Sequence, residues 1–166
     1  MDPTSTFYQT LSGVSFTLLG LWFTVMQLGH GGWRTDPTRH RAGLHIALHF
    51  FLPGVLGLFS LLVGAPSGSL IWRITFAVGG LIGLAEAVDY LGIKSRPTEL
   101  RALGLALLDP VIFLAVVGGV FLPADVLIIT PLQAEGIVVG VAFLSGLASA
   151  WLAFAEPLAP GSAEVR

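Results

Sequence analysis

An all-α, polytopic bundle of five membrane-spanning helices is the fold this sequence predicts, with the N-terminus outside and the C-terminus in the cytoplasm. Three observations predict it. Of 166 residues, 54% are hydrophobic and only 11% are charged, against about 25% charged in an ordinary soluble domain. So few charges cannot cover a soluble globule, whereas a lipid solvent removes that requirement; mean hydropathy is +0.85. The apolar residues also fall into five runs of the ~20 residues that a spanning helix needs. Finally, the basic residues gather in alternate loops.

The first span covers residues 7–29. The segment before it holds Asp2 and no Lys or Arg. The basic region of a cleaved signal peptide is therefore missing, and the run reads as retained. His30-Gly31-Gly32 and Asp36-Pro37 end it. The second span covers 42–63 and closes on the turn Ala65-Pro66-Ser67-Gly68. The third covers 70–92. A polar segment from Lys94 to Arg101, with Pro97, separates it from the fourth at 103–122, which ends at Pro123-Ala124-Asp125. Residues 126–132 are apolar but too short to span and are interrupted by Thr130-Pro131. They are expected to lie in the outer interface or pack over the bundle. The fifth span covers 136–155, and a tail rich in proline and glycine follows. The whole chain, 1–166, reads as one domain.

Orientation follows from the loops. With five spans, the first loop, the third loop and the C-terminus share one side, which carries Arg34, Arg39, Arg41, Lys94, Arg96, Arg101 and Arg166. The other side has Arg73 alone. Basic residues mark the cytoplasmic side. The expected location is the cytoplasmic membrane of a prokaryote. The lipid bilayer is the first partner, and Arg34, Arg39 and Arg41 are candidates for headgroup contact. Trp22, Trp33, Trp72 and Trp151 lie near span ends and read as interfacial anchors. Two small-residue stripes, Gly79/Gly83/Ala87 and Ala142/Gly146/Ala150, allow close helix packing within the chain or in a homo-oligomer.

Composition also excludes chemistry. A net charge of −2 argues against nucleic acid as a partner. With no cysteine there is no disulfide, thiol chemistry or cysteine metal site. The serines are scattered and none occupies a Gly-x-Ser-x-Gly elbow.

Ionisable groups within spans are costly and face the bundle interior or a cavity, so each is a functional candidate. They are His45 and His49 on the second span, Glu86 and Asp89 on the third, and Asp109 on the fourth. Gln27 closes the first span on the same side, next to His30. At 1.5 Å per residue, His49, Glu86 and Asp109 all fall about 9–12 Å from the cytoplasmic ends of their spans. Three helices thus offer polar groups at one depth. His45 and His49 are i and i+4, Glu86 and Asp89 are i and i+3, so each pair shares a helix face. Pro53 and Pro110 withdraw hydrogen bonds from the carbonyls of His49 and Ala106, leaving acceptors near the site.

Rival readings follow. The set is structural, its members pairing with each other and with Arg41, Arg101 or Lys94. Or it is a channel or transporter site for protons, cations or a small solute. Or His45, His49, Glu86 and Asp109 hold a divalent metal such as zinc, iron or manganese in a membrane-embedded enzyme. Or the protein is a non-catalytic accessory or lipid-binding protein. On either of the first two readings Glu86 is expected to meet His49, since spans 2 and 3 are antiparallel neighbours.

Overall fold

The computed structural model describes residues 2–29, 37–62, 70–93, 100–123, 126 and 128–155. Regular structure among them is entirely helical: α1 (Pro3–Gly29), α2 (Pro37–Leu62), α3 (Leu70–Ile93), α4 (Leu100–Gly119) and α5 (Pro131–Ala155). Four of these, α1, α2, α3 and α5, are long and apolar enough to cross a membrane, while α4 contributes a shorter apolar stretch, Leu107–Gly119. The loop residues His30, Trp33, Arg34, Lys94 and Arg96, the 65–68 turn, the tail with Arg166 and the side chain of Arg101 lie outside the described residues.

Three helices begin at proline, earlier than hydropathy alone suggests. Proline suits the first helical position, where its missing N–H has no partner to lose. Before Pro3, the Asp2 carboxylate accepts from the Ser5 amide at 3.2 Å. Before Pro131, Thr130 and Gln133 form a reciprocal capping box: the Gln133 amide donates to Thr130 Oγ1 at 3.2 Å, and the Thr130 amide donates to Gln133 Oε1 at 3.0 Å. Thr130-Pro131 is thus a helix start and not an interruption. Helix α5 opens at Pro131, where hydropathy places the start of the last apolar run at 136, and this brings Glu135 inside it. Val126, Ile128 and Ile129 are exposed and do not pack over the bundle.

Consecutive helices run antiparallel. Ser12 and Trp22 of α1 donate to the Gly54 and Gly43 carbonyls of α2, at 2.9 and 3.0 Å, so ascending positions on one helix meet descending ones on the other. Tyr8 Oη donates to the Leu132 carbonyl at 2.7 Å, tying α1 to α5. Helix α2 touches α1, α3 and α5, and α4 touches α3 and α5. This makes α2 the most enclosed of the four long helices. The opposite condition holds outside: Leu21, Phe23, Ile74, Leu81, Val111, Leu114 and Leu144 stand exposed on the other helices. Among these apolar side chains, the exposed Thr10, Thr17 and Thr24 each donate to the carbonyl four residues back, at 2.8–2.9 Å. Polar groups are thereby satisfied within their own helix, as a hydrocarbon solvent demands.

Both small-residue stripes are filled by neighbours within the chain. Gly79 meets Leu56, Gly83 meets the Phe113 ring, and a Cβ on Gly146 would stand 2.5 Å from His49 Cβ. Two of the tryptophans read as interfacial anchors are core residues instead. Trp22 is 4% exposed, its N–H consumed by Gly43, and Trp72 is 2% exposed and packs edge-on against Phe76. Trp151, 74% exposed, fits the outer role. Arg73, the basic residue of the sparse side, donates to the carbonyls of Val120 and Leu122. A cation there completes the unpaired C-terminal end of α4.

Candidate functional site

The middle of the bundle is polar. Helix α2 presents His45 and His49 on one face; α3 presents Glu86, α4 Asp109 and α5 Ser145, and all five residues are buried. His45 is the hub. Its Nδ1 lies 2.8 Å from Glu86 Oε2 and its Nε2 lies 3.0 Å from Asp109 Oδ2. His49 Nδ1 donates to the His45 carbonyl at 3.0 Å, and its Nε2 lies 3.2 Å from Asp109 Oδ1. Ser145 Oγ donates to the same Oδ1 at 2.5 Å. The Tyr90 ring stacks on the His45 imidazole, 3.9 Å between centroids and 9° between planes. Phe113 packs against the His49 ring from α4.

Helix register explains the partnering. Along α2 and α3, Leu56 meets Gly79 and Arg41 meets Asp89. That register carries His45, not His49, onto Glu86. The expected Glu86–His49 pair is therefore replaced by Glu86–His45, and His49 turns to Asp109. Sequence depth fixes a residue to within about a turn, and the two histidines differ by about one turn. The site is also deeper than the span limits implied. Because α2 starts at Pro37, His49 is the 13th of its 26 residues, about 18 Å from the first. Asp109 is tenth of 20 in α4.

Other candidates stand apart. Asp89 is exposed and forms an ion pair with Arg41, one turn from the buried cluster on each helix. Arg41 is thereby engaged by a carboxylate, while Arg39 lies within the first turn of α2, half-buried. Gln27 is exposed on the last turn of α1 and does not join the cluster.

Proton accounting shows what the cluster can do. Two hydrogen bonds between His45 ring nitrogens and carboxylate oxygens each need a proton, and His49 Nδ1 needs one to donate to a carbonyl, while His49 Nε2, 3.2 Å from Asp109, makes no hydrogen bond. Neutral imidazoles bring two of these three protons. At least one more must therefore be held between His45 and its two carboxylates. A further proton on the cluster would make it electrically neutral, the state that a low-dielectric interior favours. His45, His49 and Asp109 also each offer a ligand atom, all within 4.8 Å of one another, a spacing open to a metal ion.

One buried ionisable group escaped the sequence reading. Glu135 of α5 is 1% exposed, and neither carboxylate oxygen has a hydrogen-bond partner. It sits against Gly119 of α4, where any side chain would collide with it. Ten residues separate it from Ser145, so it lies about 15 Å nearer the Pro3 end of the bundle. The intervening layer is mostly apolar, built from Leu56, Phe76, Val116 and Val139, with the buried hydroxyls of Ser12 and Ser15 on α1. Two signals pointed to it: the Thr130-Pro131 helix start, and the spacing 135, 139, 142, 146, which puts Glu135 on the face of the small-residue stripe.

Comparison with protein-family models, with curated proteins and with solved structures finds no match to this chain.

Proposed function

We propose that the chain is an integral membrane protein of five spans that moves protons or cations through the cluster of His45, His49, Glu86 and Asp109. The observation that carries this reading is the proton deficit: the hydrogen bonds of His45 to two carboxylates need a proton beyond those of the neutral rings, and no Lys or Arg among the described residues touches the four. A purely structural ion pair would be expected to come with a fixed cation. On this reading the balancing charge is an exchangeable proton or cation. Histidine is the side chain best suited to exchange it near neutral pH.

Geometry supplies one half of a route. Exposed Asp89 lies three residues from Glu86, Glu86 contacts His45, and His45 contacts Asp109 in the bundle centre. Beyond lies the apolar layer and then Glu135. Passage across that layer requires helix movement. Helices α2 and α4 each carry a proline at mid-length, Pro53 and Pro110, where the helical hydrogen-bond ladder is interrupted and bending is easiest. By the loop charges, the Asp89 side of the route is cytoplasmic.

Glu86→Gln is the decisive variant. Glutamine keeps the shape and still accepts a hydrogen bond from His45 Nδ1, but it holds no exchangeable proton. The stability cost is expected at about 0.5–2 kcal/mol. Purified protein in liposomes should carry protons or cations, and Glu86→Gln should lose that flux while melting near the wild-type temperature. A wild-type protein without flux, or a variant with full flux, would refute the reading. Orientation has its own check. Reporter fusions at the two termini should place the N-terminus outside and the C-terminus in the cytoplasm; both ends on one side would remove the five-span topology.

A further inference from the structure

We infer that the cation is a divalent transition metal of the zinc class, held by His45 Nε2, His49 Nε2 and the Asp109 carboxylate, with Glu86 as a positioning residue and not a ligand. This rests on the cation-handling reading of the cluster and names the cation.

The tautomers decide the ligand set. His49 Nδ1 faces a carbonyl oxygen, which can only accept, so Nδ1 carries the proton and Nε2 is left with its lone pair. That Nε2 is fully buried, lacks a hydrogen-bond partner and is aimed at Asp109. His45 repeats the arrangement. With its Nδ1–H given to Glu86, its Nε2 lone pair points at the same carboxylate from the other side. Metal-bound histidines almost always give their second ring N–H to a carboxylate or a carbonyl, which fixes tautomer and ring orientation. Here one histidine has the carboxylate and the other the carbonyl. Ser145 does the equivalent for Asp109, and Tyr90, stacked flat on His45, prevents that ring from turning.

Ligand type selects the metal. Two imidazole nitrogens and one carboxylate suit zinc and its first-row neighbours, whereas calcium and magnesium require oxygen ligands throughout. Three protein ligands leave a fourth position open for water or another small ligand, unlike the closed four-ligand shell of structural zinc. Charge agrees as well. With both histidines neutral, the carboxylates of Glu86 and Asp109 balance one divalent cation, which takes the place of the protons beyond those of the neutral rings.

The test uses full-length protein purified on a tag free of histidine, with zinc and cobalt(II) as probes. One equivalent of zinc should remain per chain after desalting, and cobalt should give the visible absorption of a four-coordinate nitrogen–oxygen site. His49→Ala and Asp109→Asn should reduce retained zinc to background. Glu86→Gln, which folds on the argument above, should keep one equivalent but bind about 10–100-fold more weakly, as loss of an orienting partner does. Wild-type protein that retains no stoichiometric zinc or cobalt would overturn the inference. So would unchanged zinc affinity in Glu86→Gln and Asp109→Asn. Flux in liposomes without bound metal would remove the metal site and leave the proton reading standing; tight metal binding without flux would do the reverse.

Discussion

Asp109→Ala is expected to cost about 3–5 kcal/mol of stability, the range for removing one partner from a buried charge network. Three contacts end on this one carboxylate, from His45, His49 and Ser145. Interhelical hydrogen bonds in membranes average only about 0.6 kcal/mol each, so the bonds alone account for roughly 2 kcal/mol. The excess comes from what is left behind. Without Asp109, the cluster retains more positive charge than Glu86 can balance, or gives up protons and leaves ring nitrogens unpaired in a dry interior. Melting in detergent reads the total. A loss near 2 kcal/mol would mean that the remaining groups discharge readily, and a melting temperature equal to wild type would mean that the network holds nothing together. Asp109→Asn sharpens the comparison. It preserves volume and an acceptor for Ser145, so most stability should return while metal and flux do not. Asp89→Ala is the control: that carboxylate is exposed, and such ion pairs contribute about 0–1 kcal/mol.

The helices were legible because long apolar runs mark them: all five runs are helical, and four of the helices are long and apolar enough to cross a membrane. The polar cluster was legible because ionisable residues are rare in spans, and His49, Glu86 and Asp109 coincided in depth. Three things were hidden, each for its own reason. Rotation about a helix axis does not appear in a depth estimate, so His49 was matched to Glu86 when His45 is its partner. Hydropathy marks a helix start where apolarity begins, although the backbone begins its helix at the cap; Pro3 and Pro131 each follow a capping side chain. That displacement hid Glu135 and put His49 too shallow. Nearness to a span end does not say which way a tryptophan faces: Trp22 is held inward by a carbonyl on α2 and Trp72 by aromatic packing.

Gly146→Ala is expected to damage the site although it adds one methyl group and touches no charge. The new Cβ would stand 2.5 Å from His49 Cβ, a backbone-anchored atom that cannot rotate away. Helices α2 and α5 must then separate, and Ser145, the preceding residue, moves with α5. Overpacking of this kind costs about 1–3 kcal/mol. Gly83→Ala should behave alike at the other seam, where the Phe113 ring occupies the space and sits one turn from Asp109. Gly13→Ala is the matched control. Nothing lies within 4 Å of its Cβ position, and alanine in a helix interior gains about 0.5–1 kcal/mol over glycine. The same chemical change should therefore lower the melting temperature at Gly146 and Gly83 and raise it at Gly13. Bound zinc and flux should fall with Gly146→Ala and stay at wild-type levels with Gly13→Ala. If Gly146→Ala melts as high as Gly13→Ala and keeps both activities, then α5 does not clasp His49 closely in the native protein, and the packing that holds His49 and Asp109 together is wrong.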